Sequence, residues 1–309
     1  MSGLKGRDFV SMDDLSAEEL WEVLNFAVEL KRRMKGGDRP PMLAGKVLAL
    51  LFEKPSLRTR VTFEVGMLQL GGHATYLAPS DVQMGSRESV PDVARNLERW
   101  VDGIMTRTFA HSTVEALAEH AGVPVINGLS DLEHPCQVLA DLLTIHERVG
   151  EVRKVRAAWV GDGNNVCHSL LLGMAKLGAQ ISVATPKTYG PDSKILARAK
   201  EIAKGTSGSI TVGTDPQEAV RDAQVVYTDV WVSMGQESER AAKLKAFSGF
   251  QINAALLARA AKDVVVLHCL PAHRGEEITD DVLDGPRSAV FDQAENRLHA
   301  QKALLAKLL

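Results

Sequence analysis

The stretch KVLALLFEKPSLRTRVTFEVGMLQLGG, Lys46 to Gly72, decides the fold. Its first part, Lys46–Phe52, carries an unbroken apolar run from Val47 on, too short for a helix of ordinary length, which is the pattern of a strand buried on both faces. Ser56 then supplies a side-chain oxygen for the free N–H groups of a helix start, and the helix runs to Leu70, where Gly71-Gly72 stops it. A doubly buried strand that passes at once into a helix is the βα unit of a parallel sheet.

The same alternation extends in both directions. Upstream, Ser16-Ala17-Glu18-Glu19 is a capping box opening a helix through Trp21, Leu24, Ala27 and Leu30 to Gly36-Gly37. Downstream, strands are expected at His73–Ala78, Gly103–Thr108 and Pro124–Asn127, with helices near Val90–Val101, Thr113–His120 and Pro135–Val149. After the polar segment Gly150–Lys154 a second series begins, with strands at Ala157–Val160, Gln180–Ala184, Ser209–Val212, Val225–Thr228 and Val264–His268. The expected class is α/β: two doubly wound domains, each a parallel sheet flanked by helices. The expected division is 1–148 plus a returning C-terminal helix at 292–309, against 149–291.

Composition narrows the function. The 309 residues are 45% hydrophobic, which excludes a disordered chain, and 36 Lys+Arg nearly balance 39 Asp+Glu. No bulk positive field is available to hold nucleic acid or an anionic membrane, so a small ligand is the expected partner. Three cysteines at long spacings (Cys136, Cys167, Cys269) fit a reducing compartment, and the start MSGLKGRDFVSMDDL lacks an apolar leader segment. The expectation is a cytoplasmic protein without disulfides.

The segment Phe52–Arg60 sits where a strand ends and a helix begins, so unpaired N–H groups and the positive helix end face outward together. Ser56 and Thr59 add hydroxyl donors, Arg58 offers a planar fork for two phosphate oxygens, and Lys54 and Arg60 deepen the positive potential. The G-x-x-x-x-G-K-[ST] pattern is missing, which favours a compact monophosphate over a nucleoside triphosphate. Arg107 ends another strand at the edge where ligands gather and is a second cation for the same anion. His134-Pro135-Cys136-Gln137 opens a helix and puts an imidazole and an amide on that rim, suited to a carbonyl and its amino group. Singly, each of these has a plainer reading as a helix cap or a solvated cation; their clustering is what points to a site.

Ser56-Leu57-Arg58-Thr59-Arg60 together with His134-Pro135-Cys136-Gln137 resembles the signature of the carbamoyltransferases that use carbamoyl phosphate, the aspartate/ornithine carbamoyltransferase superfamily, and the resemblance covers essentially the whole chain. It implies that Ser56, Leu57, Arg58, Thr59, Arg107, His134, Gln137, Cys269, Leu270 and Arg297 surround carbamoyl phosphate. Gln83 matches a position that reaches the ligand across a subunit boundary, which implies a homotrimer or a multiple of trimers. Thr228-Asp229-Val230-Trp231-Val232-Ser233-Met234-Gly235 and His268-Cys269-Leu270-Pro271 closely resemble the ornithine-specific members. There Asp229 would hold the side-chain amine, the Ser233-Met234 loop would close over L-ornithine, and Asn165 would bind its α-amino and carboxylate end. The implied reaction gives L-citrulline and phosphate, with no cofactor and no metal.

The chemistry is consistent with those residue types. An alkylamine titrates near ~10.4, so presenting it neutral at pH 7 is worth up to ~4–5 kcal/mol. Asp229 alone favours the ammonium, so a second group must accept the proton; Cys269 as a thiolate is one candidate, and a packed thiol without proton traffic is the other reading. Arg107, His134 and Thr59 would serve the developing oxyanion, and domain closure would limit hydrolysis of the bound ligand.

Other readings remain open on the sequence, among them a carbamoyltransferase with another amine acceptor. Val160-Gly161-Asp162-Gly163-Asn164-Asn165-Val166 imitates a dinucleotide fingerprint but has Val166 where the third glycine belongs, which weakens a NAD-dependent oxidoreductase. His268, Cys269 and His273 lack the short repeated spacings of zinc sites. A two-lobed binding protein without catalysis is a further alternative.

Overall fold

The computed structural model describes residues 3–309. It contains two compact units, one formed by Met1–Leu143 with Glu295–Leu309 and the other by Thr144–Ala294. In unit 1 the strands β1 (Val47–Phe52), β2 (His73–Leu77), β3 (Gly103–Arg107) and β4 (Val125–Leu129) form one parallel sheet in the order β2-β1-β3-β4. Helices α1 (Ala17–Lys35), α2 (Leu57–Gln69), α3 (Val90–Leu97), α4 (His111–His120) and α5 (Pro135–Arg148) belong to the same βα alternation. The capping box at Ser16 forms as expected, with Ser16 and Glu19 each accepting from the other's backbone N–H.

Strand β1 is buried from Leu48 to Phe52, as its unbroken apolar run requires. From β1 the chain goes to β2 on one side and then to β3 on the other. This reversal opens a crevice beyond the carboxyl ends of β1 and β3. The register pairs Phe52 with Arg107, so the loop carrying Ser56 lies beside Arg107. On the other side of β3 the register slips, Thr106 pairing with Asn127 and Arg107 with Leu129, and Gly128 is passed over. A Cβ at Gly128 would stand 2.4 Å from Met105 Sδ and 3.1 Å from the Thr106 carbonyl oxygen, so a larger residue there would have to displace the Met105 side chain.

Unit 2 repeats the logic. Strands β5 (Arg156–Val160), β6 (Gln180–Ala184), β7 (Ser209–Gly213), β8 (Val225–Thr228) and β9 (Val265–His268) are parallel in the order β7-β6-β5-β8-β9. The reversal falls between β5 and β8, where Trp159 pairs with Tyr227. Helix α6 (Asn165–Lys176) is buried from Val166 to Lys176, and α7 (Ser193–Lys204) and α8 (Arg240–Ala246) are more exposed. The core of this unit gathers Val160, Val226, Val266, Trp231, Phe247 and Ile252.

Helix α9 (Val290–Leu308) begins in unit 2, and from Glu295 onward it belongs to unit 1. There Lys31 Nζ donates to Asn296 Oδ1 at 2.7 Å, Lys302 Nζ to Gln69 Oε1 at 2.9 Å, and Gly6 N to the Leu308 carbonyl at 2.9 Å. The expected return of the terminal helix to the first domain is observed, and so is the expected class. Among the described residues no helix is long and apolar enough to cross a membrane.

Gly66 marks the seam between α2 and α9. A Cβ there would lie 3.4 Å from Lys302 Cγ and 3.8 and 3.9 Å from Leu298 and Leu305, which is ordinary contact. Gly66→Ala is therefore expected to stabilise by ~0.5–1 kcal/mol through helix propensity, and Gly66→Leu to cost ~1–3 kcal/mol by overpacking. Urea unfolding midpoints in the opposite order would show that the two helices do not pack as described.

Candidate functional site

At the crevice of unit 1, the β1–α2 loop turns so that Ser56 caps α2, its Oγ accepting from Thr59 N at 3.2 Å. Thr59 and Arg297 are buried, Arg58 is half-buried, and Leu57 is exposed. Arg107 and His134 are 6% and 5% exposed, so both are nearly enclosed in this unit. Arg297 reaches in from α9: Nη1 donates to Gln137 Oε1 at 2.7 Å, Nη2 to Thr59 Oγ1 at 3.3 Å, and Nε to Gln301 Oε1 at 3.0 Å. Gln137 in turn donates to Asp141 Oδ1 at 2.8 Å, which fixes its amide orientation. Tertiary folding thus joins Ser56, Arg58, Thr59, Arg107, His134, Gln137 and Arg297 in one unit.

Positive charge dominates this pocket. Burial first, and then Arg297, Arg107, Lys54 and Arg58, hold His134 well below the usual imidazole range, so it stands neutral at pH 7. Lys54 is buried with its ammonium 4.7 Å from the Phe109 ring centre. Burial and the neighbouring Arg107 bring its pKa down to about 8, against the opposing pull of Asp131 and Glu53. Burial also pushes the Cys136 thiol of the same motif up to about 12; it donates to the Asn127 carbonyl and is chemically inert. The expectation for Arg60 needs correction: it pairs with Glu64 at 3.0 Å and lies 3.7 Å over the Tyr76 ring, so its charge is spent on the outer face of α2. Gln83 is exposed, in a left-handed conformation with φ 52°, at the end of the short turn Pro79–Val82.

Unit 2 presents the opposite polarity. Asp229 follows β8 and is 7% exposed; its Oδ2 accepts from Asn164 Nδ2 at 2.7 Å, and its Oδ1 from Val230 N at 2.8 Å and Cys269 Sγ at 2.9 Å. The Cys269 thiol is thus engaged as a donor to Asp229. His268 accepts from Leu270 N on Nδ1 at 2.9 Å and shares Nε2 with the buried Glu277 Oε1 at 3.0 Å, which fixes the turn carrying Cys269 and Leu270. Asp229, His268 and Cys269 bring possible metal-ligand atoms within 4.8 Å of one another, yet both imidazole nitrogens already serve these bonds. Ser233 is half-buried and Met234 exposed in the loop after β8.

Asn165 occupies the first turn of α6, half-buried. Its neighbour Asn164 was not singled out by sequence reasoning and does two things: it caps α6, accepting from Val166 N and Cys167 N, and it holds Asp229. Its signal was visible as an Asn directly before an apolar helix, the preferred capping type. The glycines of the dinucleotide look-alike have another use. A Cβ at Gly163 would come within 2.3 Å of Pro191 N, so this glycine admits the loop at Gly190-Pro191.

Comparison with known proteins agrees with both halves. Residues 7–147 match the family described as aspartate/ornithine carbamoyltransferase, carbamoyl-P binding domain, and residues 153–308 the Asp/Orn binding domain of the same family. The chain is 55% identical over 309 residues to the ornithine carbamoyltransferase of Carboxydothermus hydrogenoformans, covering 100% of this chain and 99% of that protein. It is 53% identical over 306 residues to the anabolic ornithine carbamoyltransferase of Pyrococcus furiosus, covering 99% and 97%. A solved ornithine carbamoyltransferase from Pyrococcus furiosus superposes with a TM-score of 0.97 at 52% identity, covering 100% of this chain and 98% of that one.

Because Lys54 is charged below about 8 and neutral above, affinity of the pocket for inorganic phosphate should decline as pH rises from 7.5 to 9.5. Lys54→Arg, which cannot lose its proton in this range, should flatten that decline. Identical calorimetric profiles for the two proteins would remove Lys54 from the anion pocket.

Proposed function

The chain belongs to the aspartate/ornithine carbamoyltransferase family, and on that premise we propose that it transfers the carbamoyl group of carbamoyl phosphate to the δ-amine of L-ornithine, giving L-citrulline and phosphate. The observation that carries the choice of acceptor is Asp229: a buried carboxylate at the carboxyl end of β8, held by Asn164 and Cys269 and without an ion pair among the described residues. A second carboxylate, as on aspartate, would be repelled there, whereas an ammonium supplies the missing positive charge.

Each residue then has a task. Ser56, Leu57, Arg58 and Thr59 hold the phosphate, Leu57 through its backbone because its side chain is exposed. Arg107, His134 and Thr59 face the carbonyl oxygen. Neutral His134 donates an N–H without adding a further full charge to a crowded cationic pocket. Gln137 and Arg297, locked together at 2.7 Å, bind the carbamoyl end. On the acceptor side Asn165, Ser233 and Met234 hold the amino-acid end, and Asp229 draws in the δ-ammonium. Losing its proton costs ~4–5 kcal/mol at neutral pH. Cys269 already donates to Asp229, so the departing phosphate is the sink for that proton. As the amine attacks the carbamoyl carbon, the C–O bond to phosphate breaks and the anion leaves within its cationic cradle.

The active assembly is a homotrimer in this reading. Leu57, Val61 and Leu68 are 74%, 43% and 68% exposed on α2 and recur on one face of it, an apolar stripe suited to burial against a second copy. Gln83, exposed on its own chain, would then complete a neighbour's site. Three free thiols, two of them buried, suit the reducing cytoplasm.

With carbamoyl phosphate and a panel of ornithine, aspartate, putrescine and N-acetylornithine, citrulline from ornithine is expected to dominate. Turnover of another amine and none of ornithine would overturn the assignment. Asp229→Asn should leave carbamoyl phosphate affinity intact and abolish turnover, while Arg58→Ala should lose that affinity; the reverse pattern would exchange the roles of the two units. Light scattering on the eluting protein should give three times the 33.5 kDa chain mass or a multiple of that.

A further inference from the structure

The loop proposed to close over the amino acid is tied to the rest of unit 2 through one buried cation. Lys243 on α8 is 2% exposed, and its Nζ lies 2.6 Å from Asp162 Oδ2 and 2.7 Å from Gln236 Oε1, with the Tyr189 ring centre 5.4 Å away. Gln236 belongs to the loop itself: its backbone N–H donates to the Ser233 carbonyl at 3.0 Å, and its Oε1 accepts from Ser233 N at 3.4 Å. Asp162 belongs to the turn after β5, whose next polar side chain, Asn164, holds Asp229 at 2.7 Å. One ammonium therefore joins the loop that carries Ser233 and Met234 to the turn that sets Asp229.

From this we infer that Lys243 is a positioning residue for the amine acceptor: it latches the Ser233–Gln236 loop onto the Asp162 turn and, by pairing with Asp162, leaves Asp229 as the one uncompensated carboxylate facing the incoming ammonium. The inference rests on the proposed reading of that loop and of Asp229. Two buried carboxylates in one unit would otherwise compete for the ammonium. Burial raises the Asp162 pKa, Lys243 opposes that rise, and Asp229 and Glu239 add to it. A buried ion pair often contributes little net stability, because desolvation offsets its attraction; a role in holding the loop accounts for a lysine here better than stability does.

Steady-state kinetics separates the latch from mere packing. Gln236→Ala cuts only the loop side and leaves the Asp162–Lys243 pair whole, so the protein should keep its melting temperature. Its KM for ornithine should rise about tenfold, the factor for ~1.4 kcal/mol, with KM for carbamoyl phosphate unchanged. Lys243→Met combined with Asp162→Asn, which avoids stranding a buried charge, should show the same one-sided rise, and Lys243→Arg should recover part of it. Unchanged ornithine KM in both the Gln236→Ala and the double variant, or equal rises for both substrates, would overturn the latch while citrulline formation by the wild-type chain upholds the activity. A wild-type chain that makes no citrulline from ornithine would overturn the underlying reading, and the latch with it.

Discussion

The constraint from which the rest of unit 1 follows is the confinement of like charge. Arg107, Arg297 and Lys54 are buried around His134 with Arg58 half-buried beside them; burial, reinforced by the neighbouring cations, keeps the imidazole neutral and brings Lys54 down to about 8. Such a cluster is costly in an empty pocket and favourable once a dianion enters, so it acts as stored affinity for a phosphate. The parallel sheet makes this possible: the reversal between β1 and β3 leaves backbone N–H groups at the start of α2 facing the same space as the cationic side chains.

Unit 2 uses the same topology for the opposite charge. Its reversal between β5 and β8 opens onto Asp162 and Asp229, and the protein handles the two acids differently: Asp162 is given a buried lysine, and Asp229 is given neutral donors. A carboxylate supported by Asn164, Val230 N and a thiol keeps most of its charge for a visitor. The arrangement around His268 and Glu277 is structural by comparison, since it fixes the turn on which Cys269 stands.

Glycines at three positions show where the chain is drawn tightly together and where it is not. Gly128 lies where β4 slips past β3 and Gly163 admits the chain at Pro191, whereas Gly66, between α2 and α9, has room for a Cβ. The second of these explains how a sequence can resemble a dinucleotide fingerprint without being one: glycine there answers to a neighbouring loop.

Much of the fold was legible in the order of residues. Unbroken apolar runs such as Val47–Phe52 demand strands covered on both faces, capping serines mark where helices start, and their alternation leaves little choice but parallel sheets; Ser56, Arg58 and His134 stood out because they fall at strand-to-helix junctions. Other facts were out of reach. That Arg60 turns to Glu64 and Tyr76 while Arg58 stays near the pocket depends on which side of α2 faces the sheet. That Arg297 meets Gln137 and Thr59, that Asn164 rather than a cation supports Asp229, and that Lys243 reaches Asp162 are contacts between residues far apart in the chain. Local sequence specifies period, caps and the chemical types present, because those are set by neighbours a few residues away. Which distant side chains share a low-dielectric pocket, and so which charges are shifted, paired or left for a substrate, is decided only when the chain has folded and burial has removed water from between them.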